Sequence, residues 1–220
     1  MAYYERLLPA LEGFPLLPGW TVHNAGDPDE YLYFPTSGIV SQGCVTKGCP
    51  PTNFAITGNE GVIGIGSFLG GGSTVIPTVV VSAGYSYRLA ALLLKAEFEH
   101  DGPLPRLLLR HTEALIAQTG QVAVCNRHHS VNKQLSRWIL TCLDRLPSNE
   151  LAMTQELTAE MLGVRRESVA QAAMRLHEAG LIQYSRGHVA VLDRRGLEAQ
   201  ACECYSAIHR EYARLLSPKP

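Results

Sequence analysis

The sequence has no long apolar run, no excess charge of either sign and no catalytic signature. No stretch of its 220 residues reaches the roughly 18 apolar residues of a spanning helix, and the opening MAYYERLLPALEG lacks the basic segment of an export signal. No membrane partner is expected. Six cysteines without such a signal do not make a disulfide framework, so the reducing cytoplasm is the expected compartment. Gly-x-Ser-x-Gly, His-Glu-x-x-His, a Walker loop and a paired-glycine βαβ turn are all missing, and an enzyme is not expected. The net charge of −1 taken alone argues against a nucleic-acid partner.

The distribution of charge reverses that first impression. Residues 1–126 hold 6 Lys+Arg and 10 Asp+Glu, whereas residues 127–196 hold 10 and 7, with His128, His129, His177 and His188 in the same segment. An acidic front half thus precedes a basic segment, as in a regulator with a separate nucleic-acid-reading part. The basic segment also has the clearest local pattern. Thr154 is placed to cap a first helix with Ala159, Leu162 and Val164 on its buried side, and Gly163 stands at its end. A second helix follows at once, with Val169, Ala172, Ala173 and Leu176 at helical spacing on one face. Its opposite face begins Arg165-Arg166-Glu167 and continues through Ala170, Gln171 and Arg175. LIQY-SRGH-VAVL then reads as a two-stranded hairpin. Helix, tight turn, helix and hairpin together form a winged helix-turn-helix pattern, whose second helix suits a DNA major groove.

The front of the chain has a different texture. Tyr3–Leu11 suits a short helix. From Trp20 to Leu94, short β-favouring runs (Tyr31–Phe34, Gly38–Ser41, Asn53–Ile56, Val62–Ile65, Val75–Val81, Tyr85–Leu89) alternate with turn residues, which implies an antiparallel roll. Pro103 suits the start of a long helix. Within it Leu108, Leu115 and Val122 repeat every seven residues, with His111, Gln118 and Cys125 three positions after each; this is the pattern of a two-helix dimer seam. The alternative is a helix packed on its own β-domain. A further helix has Leu135, Ile139, Cys142, Leu143 and Leu146 inward and ends at Pro147-Ser148-Asn149. Asp193 is placed to cap one last helix bearing a stripe of Leu197, Ala201, Cys204, Ile208, Tyr212 and Leu215. The expected fold class is α+β: a jelly-roll-like antiparallel β-roll over residues 1–102, a dimerisation helix over 103–126, a winged helix-turn-helix over 127–193, and a C-terminal helix and tail over 194–220.

This order of parts resembles the Crp/Fnr superfamily of bacterial transcription regulators over nearly the whole chain. GVRRESVAQAAMRLHEAGLI from Gly163 is similar to the family's recognition-helix signature, and TVHNAGDPDEYLYFPTSGIV to its opening β-roll segment. CNRHHS at Cys125 and CECY at Cys202 look like features of a branch that does not bind cyclic nucleotides. The resemblance implies a homodimer on an inverted-repeat operator in double-stranded DNA, with RNA polymerase as a further partner if the chain is an activator. It assigns Arg166 and Glu167 to base edges, and Arg165 stands beside them. An Arg fork matches guanine O6 and N7, and a carboxylate accepts from the cytosine amino group. Family members often have Arg where Gln171 stands, and Gln prefers adenine, so the operator is expected to differ there. Thr154, Ser168, Arg186 and His188 are expected at phosphates.

The effector is not legible. Cyclic-nucleotide binders of the superfamily use a Gly-Glu-Leu element and a following Arg-Ser or Arg-Thr pair. Here Ile65 takes the place of the Glu, no Arg occurs between Arg6 and Arg88, and Lys47 is the one cation in that span, which argues against cAMP. Gly70–Gly72 offers backbone N–H groups to an anion but reads equally as a turn. Cys44, Cys49, Cys202 and Cys204 make a thiol, metal or redox site only if they meet in space, and their spacing fits no zinc or cluster signature, so no metal is expected. Haem has candidate ligands in His23, His100 and His111. From a different class, a protein-interaction module with a degenerate winged helix remains open, with the polar head Arg165-Arg166-Glu167 against it.

Overall fold

The computed structural model describes residues 3–44, 52–100, 102–185 and 187–217. Lys47, Cys49 and Arg186 lie outside the described residues. Among those described, no helix is long and apolar enough to cross a membrane.

The chain forms two compact units, Met1–Gln42 with Thr57–Leu115 and Tyr212–Pro220, and Gly43–Ile56 with Ile116–Glu211. In the first, a short helix α1 (Tyr3–Leu7) and one 3-10 turn lead into β1 (Glu12–Leu16), β2 (Thr21–His23), β3 (Tyr31–Pro35) and β4 (Ile39–Cys44), the last running into the second unit and followed by β5 (Thr52–Thr57). A one-turn helix α2 (Gly66–Leu69), strands β6 (Thr78–Ser82) and β7 (Gly84–Ala90), and helix α3 (Ala91–Phe98) complete the roll. The strands make two antiparallel sheets, β1-β7-β3 and β2-β6-β4-β5.

Alternation along β3 assigns the two faces of its sheet. Leu32, opposite Leu89, joins Val62, Phe68, Leu94, Leu104 and Leu108 in one core cluster, while the next residue, Tyr33, joins Leu16, Val40, Ile63 and Val80 in the other. Two expected features differ here. Val62–Ile65 is not a strand: Ile63 makes a single bridge to Tyr33, and the chain then turns into α2. Glu12–Leu16, just beyond the expected first helix and outside the expected β-favouring runs, is a strand paired along its length with β7, because Pro15 stands on an edge where its missing N–H costs no ladder bond.

Helix α4 (Pro103–His128) passes from the first unit into the second. There follow α5 (Val131–Leu143), β8 (Glu150–Ala152), α6 (Gln155–Leu162), α7 (Arg166–Glu178), β9 (Ile182–Ser185), β10 (His188–Val191), α8 (Arg194–Gln200) and α9 (Glu203–Leu216). α5 is buried on nearly all sides and packs on α7 and α8; β8, β10 and β9 form the small sheet of the wing. The expected single last helix is two. Asp193 does cap α8, its Oδ1 accepting from the Gly196 N–H at 3.0 Å, but Ala201 is extended and breaks the run before α9. No Gly or Pro marks that break in the sequence.

Candidate nucleic-acid interface

The two-helix element is built by local rules. The Thr154 hydroxyl oxygen accepts from the Leu157 N–H at 3.2 Å and so caps α6, while the Thr158 hydroxyl bonds back to the Thr154 carbonyl at 2.8 Å. Gly163 closes α6 in the left-handed region (φ 65°), a conformation an L side chain adopts only at a cost. The chain can therefore reverse within three residues and begin α7 at Arg166. Val169, Ala172, Ala173 and Leu176 are buried, as their spacing predicted.

The other face of α7 is open. Arg165, Arg166, Glu167 and Gln171 are exposed and Ser168 is half-buried. The nearest carboxylate to Arg166 belongs to Glu156, 3.8 Å away, and both side chains are about two-thirds exposed, too weak a pair to hold the guanidinium. Met174, unremarked in the sequence reading, extends this face with over half its surface exposed. The wing lies beside the start of α6: the Met153 N–H donates to the Gly187 carbonyl at 2.6 Å and the Tyr184 hydroxyl to the Met153 carbonyl at 2.8 Å. Thr154, Arg166 and Gly187 consequently line one groove. His188 is exposed at the base of the wing turn.

The heptad seam is corrected. Leu108, His111, Leu115, Gln118, Val122 and Cys125 are each at most 4 % exposed within a single chain, so none is free to meet a second copy. Leu108 completes a β-roll core cluster, and His111 Nε2 accepts from the Val62 N–H at 3.2 Å. Gln118 donates to the Ile56 carbonyl at 3.4 Å, and Val122 lies among Ala55, Ile56 and Trp138. A second apolar line, one residue later in each heptad, faces outward: Leu109, Ile116 and Ala123, with Gly120 between the last two. Leu109 is 49 % and Ile116 67 % exposed. Both lines have a period of seven, and only the presence of a β-roll beneath one of them distinguishes them.

Residues 133–200 match the family described as the Crp-like helix-turn-helix domain. The protein has the Crp/Fnr fold. Among solved structures, FixK2 from Bradyrhizobium japonicum superposes with a TM-score of 0.75 at 16% identity, over 87% of this chain and 98% of that one. A Crp/Fnr-family transcriptional regulator from Thermus thermophilus gives 0.68 at 18% identity, over 86% and 98%. The c-di-GMP-responsive global regulator CLP of Xanthomonas campestris gives 0.66 at 18%, over 85% and 96%. No curated protein matches the chain.

Within this Crp/Fnr fold, the turn after Val62 is filled by the chain itself. His23 Nδ1 lies 3.0 Å from Asp29 Oδ1, both side chains buried, and burial pushes the imidazole down and the carboxyl up from their ordinary pKa ranges. A Cβ on Gly64 would meet His23 Nε2 at 3.3 Å, and one on Gly66 would meet Asp29 Oδ2 at 2.7 Å. The three candidate haem ligands are each engaged locally: His23 by Asp29, His111 by Val62, and His100 Nδ1 against the Ala96 carbonyl at 2.6 Å.

The cysteines converge differently from expectation. Cys44 is exposed on β4 and takes no part, whereas Cys125 and His129, one turn apart at the end of α4, meet Cys202 and Cys204 at the α8–α9 break. The four ligand atoms lie within 4.8 Å of one another, with the Cys125 and Cys202 sulfurs 3.5 Å apart and Cys204 Sγ 3.5 Å from His129 Nδ1. Sequence reading missed the set because Cys125 was placed in the seam and His129 had no ligand partner at motif spacing. Two signals were available: the CNRHHS and CECY segments, which hold all four residues, and the i,i+4 spacing of Cys125 and His129, which puts both on one helix face.

Proposed function

We propose that this protein is a sequence-specific DNA-binding transcription regulator of the Crp/Fnr type, working in the cytoplasm as a homodimer on an inverted-repeat operator and not controlled by cAMP. The observation that carries the reading is the exposed head of α7, where Arg165, Arg166, Glu167 and Gln171 stand clear of the protein beside the wing. Arg166 and Glu167 are assigned to base edges and Gln171 to an adenine; Arg165, Ser168, Arg186 and His188 are assigned to phosphates. Thr154 keeps its hydroxyl proton for a phosphate while its oxygen caps α6.

Dimerisation is reassigned to the outward line Leu109, Ile116 and Ala123, where Gly120 leaves room for close approach of a second helix. The argument against cAMP rests on Ile65 at the ribose-binding position and on the lack of Arg from residue 7 to residue 87. RNA polymerase is a partner where the operator lies at an activating position. Selection of bound duplexes from a random pool tests the reading. The expected product is an inverted repeat with half-sites about one helical turn apart, bound with an affinity that falls steeply with salt. Retention without sequence enrichment would overturn it.

A further inference from the structure

We propose that Cys125, His129, Cys202 and Cys204 form a binding site for a single Zn²⁺ ion that fastens the start of α9 to the end of α4. The inference is independent of DNA reading and rests on three features of the cluster.

The first is size. In a tetrahedral site with Zn–S near 2.3 Å and Zn–N near 2.0 Å, neighbouring sulfurs stand about 3.8 Å apart and sulfur and nitrogen about 3.5 Å. The Cys125–Cys202 separation and the Cys204–His129 separation are both 3.5 Å, and all four ligand atoms fall within 4.8 Å. That space holds one ion. An iron–sulfur cluster needs its thiolates spread around a larger inorganic core, and three thiolates with one imidazole select a thiophilic ion over Mg²⁺ or Ca²⁺.

The second is the surroundings of the ligands. His129 turns Nδ1 toward Cys204 and Nε2 toward Glu203 Oε1 at 3.4 Å. A carboxylate on the far nitrogen fixes the tautomer and ring orientation of a metal-bound histidine. Gln121 donates its amide to Cys204 Sγ at 3.1 Å, and the Cys202 carbonyl accepts the Tyr205 N–H at 3.0 Å, so both cysteines of the CEC segment are fixed in place.

The third is charge. Arg137 is 3 % exposed, and among the described residues no carboxylate pairs with it; its Nε donates to Cys125 Sγ at 3.3 Å. A buried guanidinium facing neutral thiols is expensive. Zn²⁺ binding displaces one proton from each of three thiols, and the resulting complex of one dication and three thiolates has a net charge of −1. Arg137 then neutralises it.

The test uses the full chain, stripped with a chelator under reductant and titrated with Co²⁺, then Zn²⁺. The expected result is one Co²⁺ per chain, with sulfur-to-metal charge-transfer absorption and the visible bands of a tetrahedral site, and displacement by one Zn²⁺. Cys204→Ser should weaken Zn²⁺ binding at least tenfold, and Cys44→Ser should leave it unchanged. Glu203 is an exposed side chain outside the core, so Glu203→Gln should fold normally and weaken Zn²⁺ about tenfold. Zn²⁺ should raise the melting temperature of the wild type and not that of Cys204→Ser. Absence of Co²⁺ binding by the folded, reduced wild type would overturn the proposal. So would binding unaffected by both Cys204→Ser and Glu203→Gln, or purification with iron and acid-labile sulfide.

Discussion

A guanidinium can read a base only if nothing on its own protein competes for it. Among the described residues Arg166 meets that condition: its nearest carboxylate, Glu156, is 3.8 Å away and both side chains are about two-thirds exposed, too weak a pair to hold it. Arg166→Ala is therefore expected to leave the fold unaltered, to lower operator affinity by about 1–3 kcal/mol, and to relax preference at one base pair per half-site. Quantitative footprinting on the selected operator and its single-base variants checks this; a uniform loss across all sequences would make Arg166 a phosphate contact instead. Cys142 shows the opposite situation, a side chain that nothing outside can reach. It is fully buried on α5, and burial pushes its thiol up to about 12 from an ordinary 9, Arg145 and Arg137 opposing. The unfolded chain thus loses this proton at lower pH than the folded chain does. The contribution to stability is fully present below pH 9 and is lost as pH rises toward 12, at up to about 1.4 kcal/mol per pH unit. Cys142→Ala should flatten the alkaline fall in the denaturant midpoint measured at pH 9 and one unit higher. Equal falls in both proteins would show that other groups dominate.

At the scale of the element, what was legible depended on whether a pattern had one physical solution. The capping Thr154, the left-handed Gly163 and the buried face of α7 follow from rules that act within a few residues, and the sequence displays them directly. The candidate DNA-reading residues follow from the same rules, because fixing the buried face of α7 fixes its open one. Helix α4 has two apolar lines with the same period, and the residues alone do not say which one a β-roll will cover. The α8–α9 break has no local breaker, so the approach of the CEC segment to α4 was not legible either. α4 yields a paired prediction. Ile116→Asp places a charge on the outward line and should convert the proposed dimer to monomer, a loss of about 2 kcal/mol or more of association energy, with the monomer's unfolding little changed. Leu115→Ala opens a cavity within the chain and should cost about 2–5 kcal/mol of folding stability. Sedimentation equilibrium and denaturant titration separate the two. A monomeric, destabilised Leu115→Ala beside a dimeric Ile116→Asp would return the dimer seam to the inner line.

At the scale of the whole molecule, α9 is the part whose removal most clearly separates stability from recognition. At its start Cys204 is held by Gln121, and at its end Arg214 pairs with Glu113 at 3.0 Å while the Arg110 guanidinium reaches the Leu215 carbonyl. Between them Ile208 is buried, and Leu215 is 4 % exposed, so the helix has an apolar stripe already covered within one chain. None of its residues belongs to the groove lined by Thr154, Arg166 and Gly187. A chain ending at Tyr205 keeps Cys202 and Cys204 yet loses the stripe. Losing Ile208 and Leu215 uncovers the apolar surface they bury and should cost about 3 kcal/mol or more, seen as a lower denaturant midpoint and reduced solubility. The operator sequence it selects should match that of the full chain, because the face proposed to read bases is untouched. Unchanged stability with an altered operator would reverse the assignment and make α9 part of the recognition surface.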